Sequence, residues 1–190
     1  MSGQILNIFV GSTVETPMNS VDSVELMAGK GVVGDRYFNQ EGGTWTKIYP
    51  KPDRQVSIIN ISVIQAFKKK YGIELKPIDL RRNILVDVPF LKPFMFHKFF
   101  LGDAILCTSR YSYPCKMLEN KLQKNNLIEI CKKEVWSFGI NCQILKGGFI
   151  KVGDYMRLPE TDKDNQLIND VLVNKPQLFN NDRFDNKWLN

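Results

Sequence analysis

The chain is short of metal-binding side chains: one histidine, His97, and 4 cysteines, Cys107, Cys115, Cys131 and Cys142, among 190 residues. No two cysteines form a CxxC pair and no Cys/His finger spacing occurs, which excludes the common structural zinc sites. A lone histidine cannot build a multi-histidine centre, and His97 is expected in a loop or at a barrel rim. There is no GxGxxG and no phosphate loop ending in GKS or GKT, so the two best-defined glycine-rich phosphate cradles are missing. Long apolar runs are missing too. The nearest, FLKPFMFHKFFLGDAILC, is cut by Lys92, His97, Lys98 and Asp103, which argues against a membrane span. The N-terminus, MSGQILNIFVGSTVE, has neither the positive region nor the cleavage site of a secretory signal. A cytoplasmic protein with free thiols is therefore expected.

What is present begins with charge. The balance is +6 and the sequence pI near 9.1, which points to an anionic partner. The lysines are spread along the chain, and the densest run, Lys68-Lys69-Lys70, ends a predicted helix, where cations complement the helix dipole. No RNP-like, zinc-finger or basic-zipper pattern accompanies them. A small phosphorylated ligand accounts for the charge at least as well as nucleic acid does. With 43% apolar and 24% charged residues, the composition is that of one globular domain with an appended tail.

Periodicity is short and strand-like. Strands are expected over 4–11, 23–29, 54–61, 81–88, 104–109, 138–145 and 155–159, with a short one entering after the aromatic loop 89–100. Helices are expected over 63–71, capped by Ser62 and stopped by Gly72, and over 115–123, 127–135 and 165–173. Many short strands with few helices make the fold mainly β, a β-barrel with a few short helices. It spans 1–158, and a polar C-terminal tail covers 159–190, its one helix packed on the barrel. The loop 37–53, with Trp45 and Tyr49, is a candidate pocket wall.

Three stretches carry candidate chemistry. In RYSYPCKML (110–118), a helix opened by Pro114 places Cys115 in its first turn, among backbone N–H groups without intrahelical partners and beside Lys116. Such a thiolate can attack an electrophile, carry sulfur or bind a soft metal; the alternative is a cysteine buried under a strand-to-helix turn. In GVVGDRY (31–37), Gly34, Asp35 and Arg36 follow a tight turn that suits close backbone approach. Asp35 and Arg36 could equally pair with each other. In LRRNI (80–84), arginine forks suit phosphate or carboxylate groups, and Asn83 offers donor and acceptor. Strand alternation puts Arg81 and Arg82 on opposite sides, so at most one is expected to face a given ligand. Cys107, Cys131 and Cys142 lie in apolar patterns and are expected to be structural.

In order along the chain, GVVGDRY, RQVSII, RRNI, FFLGDAIL, PCKML and FGINCQILKGGFIKVGD resemble the successive motifs of the MOSC domain, the C-terminal domain of molybdenum-cofactor sulfurases. The resemblance covers roughly residues 4–158. It implies a barrel that binds the molybdenum cofactor (molybdopterin), with Cys115 at the family's signature cysteine as molybdenum ligand or sulfur carrier. It implies cofactor contacts at Gly34, Asp35, Arg36, Arg82 and Asn83; Arg82 stands where the family more often has glutamate. Reduction of N-hydroxylated small molecules is the first activity it implies, and a persulfide relay for cofactor maturation the second. The chain has no pyridoxal-phosphate domain and no ferredoxin-type cysteine cluster. A separate electron donor, or a separate cysteine desulfurase carrying pyridoxal phosphate, is therefore expected as partner. A non-catalytic barrel binding anions or nucleic acid is the third reading.

Overall fold

In the computed structural model, which describes residues 1–39, 52–124, 126–133 and 138–173, apolar alternation closes a barrel. The strands are β1 (Ser2–Val10), β2 (Asn19–Val21), β3 (Ser23–Met27), β4 (Gly31–Val32), β5 (Val56–Asn60), β6 (Ile84–Asp87), β7 (Lys98–Leu101), β8 (Ala104–Tyr111), β9 (Ile140–Lys146), β10 (Gly148–Lys151) and β11 (Tyr155–Arg157). The helices are α1 (Ile61–Tyr71), α2 (Lys116–Leu122), α3 (Leu127–Lys133) and α4 (Asp162–Val173). Seven strands close in the order β1-β11-β7-β8-β9-β5-β6 and back to β1, and β2 extends β1 at one corner. Pairing around the ring is antiparallel except between β5 and β6, where α1 supplies the crossover that a parallel pair requires. A small sheet of β10, β3 and β4 stands beside the barrel.

Alternation sorts side chains between two cores. Val56, Ile58, Ile84, Val86, Ile140 and Cys142 point into the barrel. Ile59 and Leu85, one residue out of phase, face outward and meet Phe67 of α1, Leu118 of α2, Leu127 of α3 and Phe138. α4 lies elsewhere on the wall, with Ile168 against Phe100, Ile105 and Leu145. It is held there by a paired Arg157–Asp164 bridge with both contacts at 2.8 Å.

The elements depart from the sequence expectation at their ends. α1 starts two residues early because Asn60, not Ser62, is its cap: the Asn60 side chain accepts from the Ser62 N–H at 3.4 Å. Gly72 ends it in the left-handed conformation as expected. The strand expected from 81 begins only at Ile84, because Arg81 closes the 3-10 turn Pro77–Leu80 with φ 56°. β10 forms where a connection was expected, and α4 begins at Asp162 rather than 165. Trp45, Tyr49 and the tail beyond 173 lie outside the described residues. No helix among the described residues is long and apolar enough to cross a membrane.

Candidate functional site

A row of polar side chains crosses the outer wall of the barrel. Val56 and Ile58 point inward, so Ser57 between them points out, and the same holds for Asn141 between Ile140 and Cys142. Ser57 lies opposite Asn141 in the β5–β9 pairing, and Asn141 lies opposite Arg110 across β8. Arg110 reaches this face because the β8–β9 register slips between Thr108 and Arg110, leaving Ser109 as an extra residue. The Ser109 hydroxyl lies 2.6 Å from the Asp53 carbonyl and 2.8 Å from the Asn141 carbonyl, tying the turn Pro52–Arg54 to the wall. The Asp53 carboxylate then sits 3.9 Å from Arg54 Nε and 3.8 Å from Arg110 Nη1, beyond hydrogen-bond distance of either. Arg54 Nε and Asp53 Oδ1 are buried without a hydrogen-bond partner among the described residues.

At the other end of the row, Asn83 is locked in place. Its Oδ1 accepts from the Ser57 amide at 3.1 Å and the Ser57 hydroxyl at 2.8 Å, and its Nδ2 donates to Asp35 Oδ2 at 3.0 Å and the Phe9 carbonyl at 3.4 Å. All four hydrogen-bonding positions of its amide are thus filled from within the protein. Asp35, 1% exposed, also accepts from Gly11 N–H at 3.3 Å and Tyr37 N–H at 3.1 Å. It therefore turns inward and fixes the turn, which Gly34 permits with φ 80°. Arg36 is left over the Tyr37 ring, 5.0 Å from its centroid, and does not pair with Asp35.

The arginine pair does not behave as strand residues. Arg81, in its left-handed turn, donates to the Thr16 carbonyl at 2.8 Å and the Thr13 carbonyl at 2.9 Å, pinning the loop 11–18. Lys121 of α2 reaches the same loop at the Val14 carbonyl, 3.1 Å away. Arg82 is 9% exposed and donates to the carbonyls of Tyr113 at 3.3 Å and Phe138 at 3.5 Å, its guanidinium over the Phe138 ring. No carboxylate among the described residues is bridged to it, and burial draws its pKa down to about 10.

The loop between β8 and α2 brings in the thiol. Ser112 N–H donates to the Gly139 carbonyl at 2.9 Å. Gly139 has φ 100°, and a Cβ there would run into the Ile58 carbonyl. Cys115 is exposed and occupies the N-cap position of α2, one residue before the first turn predicted for it, and its side chain makes no capping bond. Cys131 and Cys142 are buried and Cys107 is half-buried; burial pushes the Cys107 and Cys142 thiols up.

These parts bound a cleft of about 510 Å³. Cys115 lines it together with Arg36, Arg54, Arg81, Arg82, Arg110 and Lys121, with Asn83, Ser57 and Asn141 also in the lining. No carboxylate is in the described lining. Four sequence candidates, Cys115, Arg36, Arg82 and Asn83, thus meet in one place, while Gly34 and Asp35 lie behind it. Arg81, expected on the opposite side from Arg82, lines the same cleft because the strand has not yet begun. Arg54, Arg110 and Lys121 went unread in the sequence, as did the convergence of a charge that looks diffuse along the chain. Their one sequence signal is the polar interruption of apolar strands at Ser57 and Asn141.

A closed barrel with a cationic cleft and an exposed thiol defines the structural class. Solved structures share the fold: the YUAD protein from Bacillus subtilis matches with TM-score 0.68 at 20% identity, over 82% of this chain and 94% of that one. YiiM from Escherichia coli matches with TM-score 0.63 at 13% identity, over 95% and 98% of the two chains. YiiM from Geobacillus stearothermophilus matches with TM-score 0.61 at 18% identity, over 83% and 75%. No curated protein matches. The MOSC domain family matches residues 45–157, more than half of the sequence, and the chain belongs to that family. The match includes Arg54, Arg82, Asn83, Arg110 and Cys115; the Gly34-Asp35-Arg36 turn precedes it.

Proposed function

We propose that the cleft binds the molybdenum cofactor and presents Cys115 to its metal. The observation that carries this reading is the meeting of an exposed thiol with six cationic side chains and no lining carboxylate in one cleft. The donor set fits the group: a cysteine sulfur is a soft ligand for molybdenum, and arginine forks suit the terminal phosphate of the pterin. Arg36, Arg81 and Arg82 would hold that phosphate, with Arg82 contributing a buried charge that no described carboxylate neutralises. Asn83, Asp35 and Ser57 position these groups through the network they share. Bound there, the cofactor would supply two-electron chemistry at an N–O bond. Reducing an N-hydroxylated amine to the amine consumes two electrons and two protons and releases water, so a separate electron donor is part of the proposal.

The exposure of Cys115 favours a second reading, in which a separate cysteine desulfurase places a sulfur atom on its thiol and the domain passes it on. Metal analysis of protein from cofactor-replete cells distinguishes the two. About one molybdenum per chain, lost in Cys115→Ser, is expected. Wild-type protein without molybdenum, but gaining one sulfur on Cys115 by intact mass after incubation with a desulfurase and cysteine, would replace the first reading with the second.

A further inference from the structure

The charges of the cleft fall into two groups. Arg36 bears on both Arg81 and Arg82, and Cys115 bears on Arg82; Arg110 instead bears on Arg54 and Asp53, and Tyr37 is within reach of both groups. The first group is spent on protein carbonyls in part, through Arg81 and Arg82. The second is not: among the described residues the Arg110 guanidinium makes no hydrogen bond, and Arg54 Nε is a buried donor with no acceptor. Asp53 stands near both at 3.8–3.9 Å and supplies one negative charge against two positive ones. The pair is therefore held in place by an acid yet left with a net positive charge and unused donors.

Resting on the reading that the cofactor's phosphate occupies the Arg36–Arg81–Arg82 group, we propose that Arg54 and Arg110 form a second anion subsite that selects a substrate bearing a carboxylate. A cofactor with one terminal phosphate needs only one of the two groups. The second is built into the frame of the cleft: the extra residue Ser109 turns Arg110 onto the outer face, and its hydroxyl fixes the turn that carries Asp53 and Arg54. Such a device aims two guanidinium groups at one place. Asp53 offsets one of the two charges and keeps the guanidinium groups from repelling each other apart, and the pair still carries one net positive charge for an anion.

Benzamidoxime and its 4-carboxylate are the probes, titrated calorimetrically into the full chain purified from cofactor-replete cells, with molybdenum measured on the same samples. The carboxylate is expected to bind wild-type protein about tenfold or more tightly than the neutral probe. Arg110→Gln, and independently Arg54→Gln, should bring the two affinities together while molybdenum content and neutral-probe binding stay at wild-type levels. Equal binding of both probes by wild-type protein would overturn the proposal. Loss of molybdenum from both variants would overturn it as well, because the two arginines would then belong to the cofactor. A carboxylate preference that depends on Arg110 in wild-type protein containing no molybdenum would uphold the subsite and refute the cofactor reading alone.

Discussion

Replacing Arg82 by methionine should make the fold more stable while weakening anion binding in the cleft. Burial draws the Arg82 guanidinium down from the ordinary arginine value to about 10, so holding it charged costs roughly 3 kcal/mol at neutral pH. Its bonds to the Tyr113 and Phe138 carbonyls, at 3.3 and 3.5 Å, are long and return about 1 kcal/mol between them. Methionine keeps the contact with Phe138 and removes the charge, so a net gain of about 1–2 kcal/mol is expected. In a chain of this length that is a rise in Tm of about 2–6 °C. The pH dependence has a definite sign. A cation whose folded-state pKa is depressed costs stability at every pH below about 10 and is relieved as pH rises towards the ordinary arginine value, so the advantage of Arg82→Met should shrink above pH 10. Urea midpoints and thermal melts of wild type and Arg82→Met, each with and without inorganic phosphate, provide the assay. Phosphate should stabilise wild type and act more weakly on the variant. A variant less stable than wild type by more than about 1 kcal/mol would refute the argument and make Arg82 chiefly a strut for the Cys115 loop.

Asp35→Ala leaves Gly11 N–H, Tyr37 N–H and the Asn83 amide without their acceptor, and should cost roughly 3–5 kcal/mol by urea unfolding; Asp35→Asn should cost less. Maleimide at pH 8 should label Cys115 first, Cys107 more slowly, and Cys131 and Cys142 only after unfolding, as read by peptide mass spectrometry; early labelling of Cys142 would contradict the barrel interior. The Arg157 bridge and the backbone N–H of Glu160 hold Asp164 below the usual carboxylate range. Its contribution to docking α4 is therefore complete above the ordinary aspartate pKa and lost only as pH falls through the lower folded value. Amide exchange over 162–173 should stay slow in mild acid and become fast at neutral pH in Asp164→Asn.

What the sequence disclosed and what it hid follow from how far each signal reaches. Apolar alternation is local, and it sufficed for the barrel and for most strands. Cys115, Arg36, Arg82 and Asn83 were nameable because each sits in a short motif whose neighbours constrain it. Arg81 was misjudged because a left-handed residue after a 3-10 turn suspends the alternation that assigns sides, and no glycine or asparagine marks the turn. Arg110 is three residues before the YPC segment, yet its direction depends on a register slip against β9, a partner about 30 residues away. Asn83 looked like a ligand group and proved to have every hydrogen-bonding position taken inside the fold. Chemistry at a position is readable from the chain; spare capacity at that position depends on residues from three other segments.

The unpaired serine in β8 also fixes how this chain can change in length. Removing Ser109 would restore the plain ladder with Thr108 still opposite Cys142, Arg110 still opposite Asn141 and Tyr111 still opposite Ile140, so Arg110 would stay on the cleft face and Tyr111 on the interior side. Substitution and deletion at Ser109 therefore cost the same thing, the hydroxyl that links the Asp53 and Asn141 carbonyls and ties the turn Pro52–Arg54 to the wall. Homologous chains should therefore tolerate one residue fewer between Thr108 and Arg110 and keep Arg110 on the cleft face, with the turn Pro52–Arg54 losing its tie to the wall.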